Sequence, residues 1–317
     1  MSTHARPDRR RDVLGVHSLD HFALEVSDLA EAQHFFERFG LLARPADRGL
    51  GLHTHSHDHR WGTIIEGSRG KRLRHLSFGV FADDFERFDA HLAAAGTRRI
   101  GPPDESEANG IWFEGFDGLP LNLRIAEKSS PEAKSSFSFH STGPGESGAI
   151  PNSKAPRVLP RRLSHVMLFT TNVSKAIEFY TRLLGLRLSD RSGDVVAFLH
   201  GPHGSDHHML AVCSSDHSGM HHASWDVGSV QEVGLGAAQM AKAGYKRGWG
   251  LGRHVLGANY FHYVRDPWGS YCEYSADIDF IPAEFDWEPG DHAPEDALYL
   301  WGPTPPADFV QNSEPAS

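Results

Sequence analysis

LDHFALEVSDLAEAQHFFERFGL (19–41) and LSHVMLFTTNVSKAIEFYTRLLGL (163–186) are one pattern written twice, and with one inserted residue His21 aligns with His165. Each copy opens on a strand-like run, HFALEV or HVMLFT, and then changes to apolar residues at helical spacing, such as Ala32, Phe35, Phe36 and Phe39. A second block repeats as well. RHLSFGVFADDFERFDAHLAAAG (74–96) matches HHASWDVGSVQEVGLGAAQMAKAG (221–244), setting His75 on His222, Phe78 on Trp225 and Val80 on Val227. A third sets FDGLPLNLRI (116–125) on DPWGSYCEYS (266–275), so that Gly118 meets Gly269 and Asn122 meets Glu273. The duplication runs through all three blocks, and its last polar position differs between the copies.

The repeats predict an α+β fold of tandem βαβββ modules, two per domain, each pair forming an open barrel. The modules are expected at 17–68 and 72–126, then at 161–213 and 220–280. Residues 127–160 are rich in Ser, Pro, Gly and Lys without apolar periodicity, the composition of a linker. Four regions follow: an N-terminal domain 1–126, the linker 127–160, a C-terminal domain 161–297 and an irregular tail 298–317.

Composition limits the function. A chain of 317 residues with 39% hydrophobic and 23% charged residues fits two soluble modules, and no apolar run approaches the roughly 18 residues of a membrane span. The opening MSTHARPDRRRDVLGV has basic residues without an apolar stretch after them, so a cytoplasmic location is expected. A net charge of -10 argues against a nucleic-acid partner. Cys213 and Cys272 read as reduced, packed thiols. Histidine is the outlier, with 22 in the chain, and imidazole is both a metal ligand and a proton carrier near neutral pH.

An open iron(II) site for oxygen chemistry needs two neutral imidazoles and one carboxylate on one face, with adjacent positions left free. His165, His222 and Glu273 meet that demand from equivalent places in successive strands. In NYFHYVRDPWGSYCEYS (259–275), Asp266, Pro267 and Gly269 suit a type I turn closed by a left-handed glycine and a bulge. That register sets Asp266 opposite Ser270, Arg265 opposite Tyr271 and Tyr263 opposite Glu273, with Cys272 on the other face.

The paired repeats, the set His165, His222 and Glu273, the HHML run at 207–210 and GRHVLGANYFHYVRDPWGSYCEY at 252–274 together resemble the type I extradiol dioxygenases of the vicinal oxygen chelate superfamily. The likeness covers about residues 17 to 280. It is strongest in the C-terminal half, where His254, Tyr263 and Glu273 keep the family's intervals of nine and ten residues. The resemblance implies that Fe(II), with Mn(II) as second candidate, is chelated by a catechol through both oxygens while O2 binds beside it, and that the ring opens next to the hydroxyls. It also implies His208 as acid/base, His254 and Tyr263 at the substrate oxygens, and an N-terminal domain of the same fold without an active metal site. His207 and His221 are the alternatives within the two histidine pairs. A homo-oligomer is expected, and the preferred catechol stays open among monocyclic, bicyclic and trihydroxylated rings.

Plainer readings compete. His21 and His75 face Asn122 rather than a glutamate and read as structural; the alternating His53, His55, His57 and His59 read as an exposed polar strand rather than a surface metal site. Arg253 and Arg265 read as surface ion-pair partners, and the glycines of GWGLG (248–252) lack the lysine and the strand-to-helix setting of a phosphate loop. Two other functions fit the same scaffold: a metal-dependent isomerase resembling glyoxalase I, and a protein that binds an aromatic ligand without turnover.

Overall fold

The computed structural model describes residues 9–67, 70–103, 107–139 and 141–315. The first half runs β1 (Ser18–Val26), α1 (Leu29–Phe39), β2 (Leu42–Ala46), β3 (Gly49–Thr54), β4 (His57–Glu66), β5 (Arg72–Val80), α2 (Phe85–Ala94), β6 (Ile111–Glu114) and β7 (Pro120–Ile125). The second runs β8 (Arg162–Thr170), α3 (Val173–Leu184), β9 (Arg187–Ser192), β10 (Val196–His200), β11 (Ser205–Asp206), β12 (Leu210–Ser214), β13 (Gly219–Asp226), α4 (Val230–Lys242), β14 (Gly248–His254), β15 (Tyr260–Arg265) and β16 (Tyr271–Ala276). The short β17 (Phe280–Ile281), β18 (Gly290–Asp291), α5 (Pro294–Ala297) and β19 (Tyr299–Trp301) follow.

Each half builds one large open sheet from two modules laid edge to edge. The orders are β2-β3-β4-β1-β5-β7-β6 and β18-β9-β10-β12-β8-β13-β16-β15-β14-β19. The modules meet where their first strands pair antiparallel, β1 on β5 and β8 on β13. The helices repeat in detail. Asp28 accepts from the amide of Glu31 at the start of α1, and Asn172 accepts from that of Lys175 at the start of α3, each satisfying an otherwise orphaned donor. Ala32, Phe35, Phe36 and Phe39 line the buried face of α1, as the spacing predicts. The halves lock together where the Phe39 and Tyr274 rings stack at 4.0 Å and the Tyr274 hydroxyl donates to the Phe39 carbonyl at 2.7 Å.

The second N-terminal module departs from its expected pattern. Among the described residues between α2 and β6, a single bridge, Arg99 to Phe113, stands where a strand would run. Pro102 and Pro103 follow closely, and a residue without an amide proton cannot extend a ladder. The tail expected to be irregular contributes β19 to the sheet and is anchored elsewhere by single side chains. Phe309 is buried, and the Glu314 carboxylate accepts from the amides of Leu73 and Met220. Such isolated anchors leave no periodicity for a sequence reading to detect. Among the described residues no helix is long and apolar enough to cross a membrane.

Candidate active site

Strand register brings the C-terminal histidines and carboxylate together. His165 on β8 pairs with Ser224 on β13, and Ser224 pairs with Glu273 on β16, so three adjacent strands present these residues in one row. His222 lies two residues from Ser224 and shares its face. The result is a buried trio: His165 Nε2 stands 3.2 Å from His222 Nε2 and 3.3 Å from Glu273 Oε2, and His222 Nε2 stands 3.6 Å from the same oxygen.

The hydrogen bonds around the trio fix its protons. His221 Nε2 donates to the Phe309 carbonyl at 2.9 Å, so its Nδ1 is an acceptor and takes the Nδ1 proton of His222 at 2.7 Å. His222 Nε2 is thereby left with a lone pair. Ser164 donates to Asp206 at 2.9 Å and can accept from His165 Nδ1 at 3.3 Å, which leaves His165 Nε2 bare as well. Burial, then the neighbouring imidazoles, hold His222 well below its ordinary range, so it is neutral at working pH. Glu273 is wholly buried. Its Oε1 accepts from Asn259 at 3.1 Å, while Oε2 has no hydrogen-bond partner. A buried anionic oxygen facing two imidazole lone pairs fits a cation in their midst.

The other sequence candidates surround this trio. His208 packs on His165 with ring centres 4.1 Å apart. His207 Nε2 donates to Asp190 at 2.8 Å, and His207 Nδ1 then accepts from His208 Nδ1 at 3.0 Å, leaving His208 Nε2 as a free base. Burial first, then the neighbouring imidazoles, depress His208 well below its usual range. The pair does not sit in a strand: His207 and His208 fall between β11 and β12, their rings meet edge to face, and of the two it is His208 that lines the cavity over the trio. The hairpin takes the expected register, with Tyr263 opposite Glu273, Arg265 opposite Tyr271 and Gly269 at φ +97°. His254 donates through Nδ1 to the Leu298 carbonyl at 2.7 Å, so its Nε2 accepts from the Tyr263 hydroxyl at 2.9 Å. Burial, then the Glu273 charge, hold Tyr263 well above the usual phenol range and keep it protonated. Buried Cys213 has its thiol pushed up to about 12, in keeping with a packed residue.

A cavity of about 210 Å³ opens over His165, His208, His222, His254 and Tyr263, walled by apolar side chains such as Phe198, Leu256 and Phe309. Neither lysine nor arginine lines it. Sequence reasoning missed several groups here. The orienting roles of Asp190, His207 and His221 required knowing which ring nitrogen meets which neighbour. Leu298 and Phe309 reach the site from a tail whose composition gave no hint of it.

Comparison with known proteins adds a second line of observation. The model of the glyoxalase/bleomycin resistance protein/dioxygenase superfamily matches residues 162–274. The chain is 54% identical over 301 residues to Metapyrocatechase 2 of Cupriavidus necator, spanning 94% of this chain and 93% of that one. Among solved structures, the Mn(II)-bound glyoxalase from Novosphingobium aromaticivorans shares the fold with a TM-score of 0.73 at 21% identity, over 96% of this chain and 95% of that one. An extradiol ring-cleaving dioxygenase from B. fuscum gives a TM-score of 0.75 at 17% identity, over 98% of this chain and 86% of that one.

Proposed function

The chain belongs to the extradiol dioxygenases of the glyoxalase/bleomycin resistance protein/dioxygenase superfamily, and from that premise we propose that it opens uncharged, single-ring catechols with O2 at iron(II) held by His165, His222 and Glu273. The observation that carries the metal assignment is Glu273 Oε2, buried without a hydrogen-bond partner and faced by two unprotonated imidazole nitrogens. Two imidazoles and one carboxylate suit iron(II), and Mn(II) is the alternative the same donor set accepts. When bound, the metal supplies adjacent coordination positions for catecholate and dioxygen and a route for electrons between them.

The chain's own residues manage position and protons. His208 Nε2, unprotonated and over the trio, takes the proton that a catechol hydroxyl sheds on binding and returns it to the opening ring. Before substrate enters, His254 Nε2, its tautomer set by the Leu298 carbonyl, accepts from the Tyr263 hydroxyl and holds the phenol beside the trio, and from there the hydroxyl turns to donate to a substrate oxygen. The apolar walls exclude water and favour a neutral ring, since no cation stands ready for a carboxylate. Small volume favours one ring over two.

The test is anaerobic removal of metal, reconstitution with Fe(II), Mn(II) or Mg(II), and oxygen uptake with a panel of neutral and carboxylated catechols. Iron(II) with neutral monocyclic catechols is expected to give uptake and a visible ring-opened product; Mg(II), which cannot relay electrons, gives none. Inactivation by peroxide should reverse with reductant and iron(II). Full uptake after thorough chelation defeats the metal reading, and faster turnover of carboxylated catechols defeats the substrate reading.

A further inference from the structure

The N-terminal half repeats the geometry of this trio with a carboxylate drawn from another place. His75 pairs with Ala23 as His222 pairs with Met167, so His21 and His75 hold the register positions of His165 and His222. Their Nε2 atoms are 3.5 Å apart, with ring centres at 5.5 Å and planes at 85°; in the C-terminal half the values are 3.2 Å, 5.3 Å and 78°. Asn122, at the register of Glu273, uses its side-chain amide to donate to the Asn109 carbonyl. Glu107, in the segment before β6, enters instead, and its Oε2 stands 3.4 Å from His21 Nε2, against 3.3 Å for Glu273 and His165. All three side chains are buried, and one ligand atom from each lies within 4.8 Å of the others. Donors about 2.0–2.2 Å from a shared ion stand roughly 3 Å apart when adjacent, so the two separations from His21 need only a small contraction, and His75 and Glu107 close on each other from within 4.8 Å.

The surroundings prepare those atoms as they do in the other half. Asp20 accepts from His21 Nδ1 at 2.6 Å, which fixes the ring with Nε2 turned to Glu107. Arg60 donates to Glu107 Oε1 at 2.6 Å, as Asn259 does to Glu273 Oε1, while Oε2 faces His21 with Arg124 3.9 Å away. His21 lines a cleft of about 540 Å³, which gives an ion a way in.

His208 and Tyr263 have no like residue at the matching positions of this half. Phe22 pairs with Gly62 as Val166 pairs with Leu210, so Arg60, like His208, lies two residues before the matching pair; Trp112 pairs with Asn122 as Tyr263 pairs with Glu273. A guanidinium cannot accept a proton and an indole N–H has no lone pair to offer. We propose that His21, His75 and Glu107 bind a second divalent first-row transition-metal ion that takes no part in turnover. The competing account is a protonated His21 held as an ion pair between Asp20 and Glu107.

The full chain, stripped with a chelator, dialysed against Zn(II) and washed, should carry two ions per chain by elemental analysis. Glu107→Gln and His21→Ala should each carry one, as should Glu273→Gln, and Glu107→Gln with Glu273→Gln none. Glutamine nearly matches glutamate in shape, and circular dichroism checks the fold. Iron-loaded Glu107→Gln should keep oxygen uptake within about twofold of the parent, as expected of distant, independent sites. An unchanged zinc count in Glu107→Gln, or a single ion in the parent that only Glu273→Gln removes, overturns the proposal in favour of the ion pair. An unchanged count in Glu273→Gln beside a loss in Glu107→Gln would instead strike the catalytic reading and leave this one standing.

Discussion

The two halves hold the same pair of imidazoles at the same register and differ in what stands around them. In the C-terminal half His208, His254 and Tyr263 border an apolar cavity; in the N-terminal half Arg60, Trp112 and a charged cleft walled by His57, His59, Arg124, Arg161 and Arg162 take their place. The difference teaches that a ligand trio alone does not make this chemistry. The βαβββ pair supplies the histidines for free, and the proton carriers and the dielectric of the walls decide what those histidines can do.

The largest effect expected is at the carboxylates. Glu273→Gln should lose metal from the C-terminal half and abolish oxygen uptake, whereas Asn122→Ala, at the same register in the other half, should leave uptake near the parent level. Metal content and uptake measured on both variants check this. Equal losses would mean that the halves act as one site.

Next comes His208, where metal binding and proton handling separate. His208→Ala should keep its metal and lose about 10²- to 10⁴-fold in turnover, the usual contribution of a general acid/base. His207→Ala or Asp190→Asn should cost far less, toward the low end of the roughly 10- to 100-fold typical of groups that orient a neighbour. If His207→Ala is the dead variant and His208→Ala turns over normally, the two rings have exchanged roles.

Much of this was legible in the sequence because it rests on register. Period-two alternation and a repeat placed His165, His222 and Glu273 on one row, and the turn residues Asp266, Pro267 and Gly269 set Tyr263 against Glu273. What depends on loops was not legible. Glu107 reaches His21 from outside any strand, Phe309 holds His221 from the tail, and His207 with His208 sits in an irregular link where alternation gives no rule. Repeat alignment compared Glu273 with Asn122 because they share a strand position, and so overlooked a carboxylate arriving by another route.

Acid should weaken the seam between the halves. His17 of the first half and His203 of the second flank Phe81, and burial, first among the causes, holds each at about 4. His262, also buried, lies at about 4 too. The unfolded chain binds these protons near pH 6.5 and the folded chain does not. The stability they confer is therefore complete above about pH 6.5 and is lost as pH falls toward 4, by about 3 kcal/mol for each histidine. Urea unfolding from pH 8 to 4 measures this, and His17→Asn should flatten the slope. A slope unchanged by His17→Asn would place the acid sensitivity elsewhere.

The smallest effect contrasts the two matching glycines. Gly118 and Gly269 both take left-handed backbone, at φ +76° and +97°, so an alanine at either is strained by roughly 1–2 kcal/mol. Their surroundings differ. A Cβ at Gly118 would meet nothing within 4 Å, whereas one at Gly269 would come within 2.7 Å of the Ser313 Cβ in the tail. Gly269→Ala must therefore displace either the turn or the tail, and the turn sets the register of Tyr263 on Glu273. The tail in turn carries Phe309, whose carbonyl orients His221 and through it His222. Gly118→Ala should lower stability alone, with oxygen uptake per metal unchanged. Gly269→Ala should lower stability further and reduce uptake per metal as well. Urea unfolding beside uptake normalised to metal separates the two. Equal stability losses with full uptake in both would show that the tail yields at Ser313 without disturbing either the hairpin or the histidine pair behind it.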